Sequence, residues 1–370
     1  MNKSKIMIIF GTRPEAIKMA PVVKELRENH RYFKTIVCIT AQHRHMLDQV
    51  MSLFNIKADL DLDLMRKNQS LESLASRALV TLSKEIREIS PDLVIVQGDT
   101  TTAMVAALAA FYQKIPVAHV EAGLRTHDIY NPFPEEANRC IISSVATFNF
   151  APTKRAFETL IGQGIKRKRV FLTGNTVIDA LKMLPNRLVR SDRMLALKKG
   201  QKLILMTAHR RENFGRPLEN ICDALQLIVK RNPDVVVVYP VHLNPNVKTV
   251  VYGKLSGQER IFLIPPLEYR ELVAFMRKSS IILTDSGGIQ EEAPAFGKPV
   301  LVMRKETERP EGIEAGVAKL VGTDTRRIVK EIESLLRNKA LYERMSKAVS
   351  PYGDGRAAKR IARILKKEIG

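Results

Sequence analysis

Three carboxylates in the first half of the chain stand where an apolar run stops. Asp99 follows the run 93–97 through Gly98, Glu121 closes the run that begins at Val117, and Glu135 opens the pattern Pro134-Glu135-Glu136-Ala137-Asn138-Arg139. A carboxylate at the C-terminal edge of a buried strand is a candidate for moving protons, because that edge is where open α/β sheets meet their ligands. Each also has a plainer reading. Asp99 suits the N-cap of the next helix. Glu135 and Arg139, four residues apart, would share a helix face and pair there as a surface ion pair.

A second group of residues suits an anion. Gly11-Thr12-Arg13-Pro14-Glu15-Ala16-Ile17-Lys18 follows the first apolar run. A glycine turn that enters a helix offers free N–H groups to an anion, and Arg13 and Lys18 add charge. The segment matches neither the Walker A pattern nor GxGxxG. In the second half, Ala208-His209-Arg210-Arg211-Glu212-Asn213 places a histidine beside two arginines at a strand end, a setting suited to phosphate. Asp285-Ser286-Gly287-Gly288-Ile289-Gln290-Glu291-Glu292 is the most specific single segment. Ser286 and the two glycines let a helix N-terminus approach a diphosphate closely, and Glu292 can accept hydrogen bonds from ribose hydroxyls. That chemistry points to a nucleotide diphosphate and leaves the reaction open.

Short β-branched runs alternate with helical patterns and must position these residues. Strands are predicted at 5–10, 35–40, 93–97, 117–121, 148–151 and 170–172, then at 203–207, 235–239, 261–264, 281–284, 300–303 and 319–321. Helices are predicted from Pro14, after Asp99 and from Pro134, and later at 218–230, 269–278, 289–296, 325–337 and 355–368. Residues 185–200 carry Pro, Ser, Asp and basic residues without a strand pattern and read as a linker. The expected architecture is α/β, two doubly wound Rossmann-like domains facing across a cleft. The first spans 1–185, with the terminal helix of 355–370 packing back on it, and the second spans 186–354.

A length of 370 residues favours two domains. With 45% hydrophobic and 27% charged residues the chain is globular in type. Its longest apolar run, 104–112, falls well short of the roughly 20 residues of a membrane span. The opening MNKSKIMIIFGTRPE reads as a first strand, not a signal peptide, so the cytoplasm is expected. Cys38, Cys140 and Cys222 show no CxxC spacing, argue against a disulfide framework or zinc site, and are expected to be buried packing residues. The net charge of +21 invites a nucleic-acid reading, yet the longest basic run is only Lys166-Arg167-Lys168-Arg169. Elsewhere Lys and Arg interleave with Glu and not with aromatics, as on a solvated face.

Taken in order, FGTRPEAIKMAP, TAQHR, GDTT, HVEAGLRT, PEEANR, TGNTVIDAL, HRRENFG, YPVHLNPNV, LTDSGGIQEEAP, GKPVLVMR and TERPEG resemble the non-hydrolysing UDP-N-acetylglucosamine 2-epimerases over nearly the whole chain. The resemblance implies a glycosyltransferase-B type fold and interconversion of UDP-N-acetylglucosamine and UDP-N-acetylmannosamine, through loss and re-addition of UDP. It implies no metal or nicotinamide cofactor, and a homodimer. Asp99, Glu121 and Glu135 match the family's catalytic carboxylates, the first two as acid/base pair and the third in support, with Arg139 also implicated. Arg13, Lys18 and His209 match positions near the diphosphate and leaving group. Ser286, Gly287, Gly288 and Glu292 match phosphate and ribose contacts, and Arg309 a further UDP-side contact. Gln42, Glu136, Arg210 and His242 match positions that bind a second, activating substrate molecule, while His45 and Asn68 depart from that regulated pattern. A glycosyltransferase on the same scaffold, a hydrolysing epimerase and a basic binding protein are the alternative readings.

Overall fold

A computed structural model describes residues 3–40, 44–64, 66, 69–185 and 197–370, the side chain of residue 45 excepted. Of the predicted linker, residues 186–196 lie outside the described ones. Contacts divide the chain into two compact units, 1–184 with 352–370, and 185–351.

The first unit alternates β1 (Ser4–Phe10), α1 (Arg13–Glu28), β2 (Phe33–Ile39), α2 (Arg44–Leu53), β3 (Leu60–Asp61), α3 (Leu71–Ile89), β4 (Leu93–Gln97), α4 (Thr101–Tyr112), β5 (Val117–Val120), α5 (Glu135–Val145), β6 (Phe148–Ala151), α6 (Lys154–Gly162), β7 (Val170–Leu172) and α7 (Thr176–Met183). The second continues with β8 (Lys202–Thr207), α8 (Arg216–Arg231), β9 (Val235–Pro240), α9 (Pro245–Leu255), β10 (Ile261–Ile264), α10 (Tyr269–Lys278), β11 (Ile281–Thr284), α11 (Gly287–Glu292), β12 (Val300–Val302), α12 (Pro310–Glu314), β13 (Ala318–Leu320), α13 (Thr325–Arg337) and α14 (Lys339–Lys347). The last helix, α15 (Ala357–Ile369), belongs to the first unit and packs on α1 and α7.

Every strand pairing is parallel, in the orders β3-β2-β1-β4-β5-β6-β7 and β10-β9-β8-β11-β12-β13. Parallel sheets covered on both faces need strands that are apolar throughout. Thus β4 (LVIVQ) is buried at all five positions, and so are the last five residues of β1. Strand order reverses between β1 and β4 in one sheet and between β8 and β11 in the other. At such a switch point the two flanking helices leave on opposite faces, opening a crevice beyond the strand ends. The turns bordering these crevices follow β1 and β4, and β8 and β11.

Several local features differ from expectation. Thr100, not Asp99, caps α4, accepting from the Ala103 N–H at 3.0 Å. That leaves the Asp99 carboxylate for other work. Helix α1 starts on a reciprocal capping box between Thr12 and Glu15. The helix expected at 289–296 begins earlier, at Gly287, and tightens into a 3₁₀ turn over Ala293–Phe296. Pro294 there lacks the N–H that would continue the α pattern. Strand β3 was not anticipated; two residues carry no periodic signal. Cys140 is half-buried on α5, whereas Cys38 and Cys222 are buried.

At the chain's return, Asp179 on α7 accepts the backbone N–H groups of Ala357 and Ala358 at 3.1 and 3.0 Å, satisfying donors at the start of α15. Ile361 and Leu365 on that helix are completely buried. Among the described residues no helix is long and apolar enough to cross a membrane.

Candidate active site

In the first unit the chemistry gathers on turns that follow β1, β4 and β5. Gly98 leaves β4 with a positive φ of 71°, a conformation that costs glycine little, and turns the chain so that Asp99 stands beyond the strand end. Arg139 on α5 reaches Asp99 with two donors on one carboxylate oxygen, Nε at 2.9 Å and Nη2 at 2.6 Å. Its Nη1 binds Glu136 at 2.8 Å, and the neighbouring Asn138 donates its side-chain amide to the Asp99 carbonyl at 2.8 Å. The Arg139 side chain is only 6% exposed, against 28% for that of Asp99. The expected pairing of Arg139 with Glu135 is therefore not formed. A guanidinium taken out of water needs close carboxylates, and Asp99 and Glu136 supply them. Glu135 is half-buried and makes no side-chain hydrogen bond among the described residues.

Glu121 sits directly after β5 with φ 68°, left-handed for a residue with a Cβ. Such a conformation stores on the order of 1–2 kcal/mol and persists where surrounding contacts enforce it. Its carboxylate pairs with the Lys18 ammonium from α1, both side chains being at least nine-tenths buried. Arg13 is half-buried at the start of the same helix.

Two further residues hold these turns, and the sequence reading had not assigned them a place in the site. Glu15 is buried and accepts from the Gly11 and Thr12 N–H groups at 3.1 and 2.7 Å and from the Thr100 hydroxyl at 2.7 Å. It thereby ties the turn after β1 to the turn carrying Asp99. Burial raises its pKa despite those hydrogen bonds. The capping-box spacing Thr12-x-x-Glu15 is the signal that marked it. His119, wholly buried in β5, lies 2.7 Å from the Gly98 carbonyl through Nε2. Burial pushes its pKa down to about 4, so the ring is neutral near pH 7. A carbonyl only accepts, which places the proton on Nε2.

In the second unit the hub is Asp285, at the end of β11 and without exposed surface. Its Oδ2 accepts the backbone N–H groups of His209 and Arg210, each at 2.9 Å, and the Asn213 amide at 3.1 Å. Its Oδ1 lies 3.2 Å from His209 Nδ1. Burial alone would raise this carboxyl, but the His209 ring and the two backbone donors outweigh it and hold the pKa below the usual range. The His209 side chain stays 42% exposed and stacks on His242, ring centroids 5.9 Å apart. Burial and the nearby His209 lower the pKa of His242.

Arg210 reaches Glu308 at 3.1 Å, and Arg304 and Arg309 converge on the same carboxylate. Their charges hold Glu308 well below the usual carboxylate range against the effect of burial. Arg309 also binds Glu291 at 2.6 Å and is nine-tenths buried. Its guanidinium lies so close over Gly287 that a Cβ there would come within 2.6 Å of Nη1. Gly287 thus makes room for an arginine inside the protein, while Ser286 and Gly288 remain half-exposed and Glu292 is buried. Ser286 N–H donates to Thr284 Oγ1 at 3.0 Å.

The residues expected to bind an activating ligand fall into the same clusters: Glu136 on Arg139, Arg210 on Asp285 and Glu308, and His242 on His209. Gln42 and Asn68 lie outside the described residues, as does the His45 side chain. Among the described residues no group of three or more His, Cys, Asp or Glu side chains is arranged to hold a metal ion.

Two doubly wound parallel sheets, with buried carboxylate–cation pairs at one switch point and a polar Ser-Gly-Gly turn at the other, define an α/β protein of the glycosyltransferase-B type. A glycotransferase of kitacinnamycin shares this fold alone, at a TM-score of 0.70 and 11% identity over the full length of both chains. The chain belongs to the UDP-N-acetylglucosamine 2-epimerase family, whose model matches residues 24–366. It is 51% identical to a UDP-N-acetylglucosamine 2-epimerase of Campylobacter jejuni, covering 98% of this chain and 97% of that protein. It also matches the crystal structure of a UDP-GlcNAc 2-epimerase from Neisseria meningitidis bound to UDP-GlcNAc, with a TM-score of 0.92 and 48% identity over 98% of this chain and 100% of the other.

Proposed function

We propose that the protein interconverts UDP-N-acetylglucosamine and UDP-N-acetylmannosamine without net hydrolysis, by eliminating UDP across C1–C2 and adding it back after inversion at C2. Family membership supports the substrate class. The observation that carries the chemistry is the pair of carboxylates at adjoining strand ends, Asp99 on Arg139 and Glu121 on Lys18.

The C2 proton of the sugar is not acidic, so a base must act as the anomeric bond breaks. The electron pair of C2–H forms the C1–C2 double bond while the C1–O pair leaves with UDP. A proton is then delivered to C2 from the opposite face by the acid partner, and a UDP oxygen rebonds to C1. Asp99 and Glu121 act as the acid/base pair, with Glu135 in support. Arg139 orients Asp99, and Lys18 pairs with Glu121 and offers charge toward the departing diphosphate. Arg13, His209, Ser286, Gly287, Gly288, Glu292 and Arg309 serve the UDP side, the last through the packing of the Ser-Gly-Gly turn. Gln42, Glu136, Arg210 and His242 are the positions at which a second substrate molecule would regulate turnover. The first unit, 1–185 with the returning 355–370, handles the sugar, and 186–354 holds UDP. The enzyme works in the cytoplasm as a homodimer and feeds an activated sugar into surface glycan synthesis.

Incubation with UDP-N-acetylglucosamine alone in D₂O tests the reaction. Epimer formation with deuterium at C2 is expected; an absolute need for an acceptor would indicate a glycosyltransferase, and free UDP accumulating in step with turnover would indicate a hydrolysing enzyme. Asp99→Asn and Glu121→Gln should each abolish C2 exchange while calorimetry still detects UDP binding. Near-normal exchange in either variant would remove that residue from the mechanism.

A further inference from the structure

His209 is the exposed member of a buried array. Three N–H donors converge on Asp285 Oδ2, from His209, Arg210 and Asn213, and fix the plane of the carboxylate. Fixing that plane fixes Oδ1, which lies 3.2 Å from His209 Nδ1. An ionised carboxylate has no proton to give, so the atom facing it must be the protonated nitrogen of the ring. The stacked His242 ring further confines the imidazole's tilt.

We propose that Asp285 is a positioning residue that holds His209 in the Nδ1–H form and so makes Nε2 the edge offered to the substrate. The proposal rests on the epimerase reading for the identity of that substrate. With the Nδ1 proton facing Asp285 Oδ1 across 3.2 Å, Nε2 takes a proton from solvent as the anionic substrate arrives, and the ring becomes a cation whose charge Asp285 balances. Nε2–H then donates a hydrogen bond to the diphosphate as negative charge builds on it. Asp285 itself touches no substrate in this arrangement.

Asp285→Asn separates aim from architecture. The amide oxygen can keep the three backbone and side-chain donors of Oδ2, which places the amide NH₂ against His209 Nδ1. That nitrogen must then be the acceptor, so the single ring proton sits on Nε2; the neutral ring can still donate there, but facing an amide NH₂ it cannot take the second proton that would make it a cation. The test uses full-length protein labelled with ¹⁵N-histidine, in which two-bond ¹H–¹⁵N correlations distinguish the tautomers and the His209→Gln spectrum assigns the resonance. The expected result is an Nδ1–H ring in the wild type and an Nε2–H ring in Asp285→Asn. The variant's kcat should fall at least about tenfold with a smaller change in KM. In a His209→Gln background the same substitution should cost less than about twofold further, because its effect runs through that ring.

An Nε2–H tautomer in the wild type overturns the proposal even if Asp285→Asn fails to fold. So does an unchanged tautomer in the variant, or a full additional loss in the His209→Gln background. A wild type with the Nδ1–H ring but no isotope exchange would support the Asp285–His209 pair and sink the epimerase reading instead.

Discussion

Lys18 and Glu121 form one of the buried ion pairs of the first unit. Both are nearly out of water, so replacing one partner alone removes a close opposite charge from a buried group. Lys18→Met should lower unfolding free energy by roughly 3 kcal/mol, and adding Glu121→Gln should recover part of that loss. Urea titrations of both variants check the order; a double variant less stable than Lys18→Met would contradict it. The sequence made Asp99, Glu121 and Arg139 visible because each ends a strand or opens a helix. It did not show that Arg139 would choose Asp99 over Glu135, since that choice depends on a partner 40 positions away. Asp285 was visible only as a member of a glycine-rich turn, for the same reason: its donors lie 72–76 positions earlier.

Among the elements, strand β5 carries a pH dependence of its own. His119 has a folded-state pKa near 4, below the ordinary 6.5, because burial disfavours its charged form. The unfolded chain therefore binds a proton below pH 6.5 that the folded protein refuses until about pH 4. The associated stability is full above pH 6.5 and lost as pH falls through that window, by on the order of 3 kcal/mol in total. Melting temperatures of the wild type and His119→Gln between pH 7 and 4 test this. The wild type should drop more steeply, and parallel curves would refute the assignment. Strand positions were largely readable: β4, β6, β7, β10 and β11, like helices α10 and α13, lie where apolar runs and helical periods placed them, whereas α2, α3, α6, α7, α9, α12 and α14 had no predicted position. Boundaries moved where a cap outcompeted the pattern, as when Thr100 took the position that Asp99 seemed to fill. Strand β3 was lost because two residues cannot show alternation.

At the scale of the whole molecule the returning helix α15 decides the integrity of the first unit. It covers apolar faces of α1 and α7 with Ile361 and Leu365, and Asp179 receives its first N–H groups. Deleting 352–370 should leave 185–351 as a protease-resistant fragment while the first unit becomes susceptible. Equal resistance of both units after truncation would show that α15 is dispensable. The alternation of strands and helices conveyed two sheets, and 355–370 was expected to pack back on the first; the contact between Asp179 and Ala357, 178 positions apart, carries no local signal.

That closure also sets an order of events at the ribosome. Domains generally fold as they emerge, the N-terminal one first. Here the first unit receives its last helix only after the entire second unit has been synthesised. The second unit is thus the earlier one to be complete as a continuous stretch of chain. Until then the nascent first sheet carries an uncovered apolar flank on α1 and α7, and a chaperone that binds apolar surface would find its longest-lived target there.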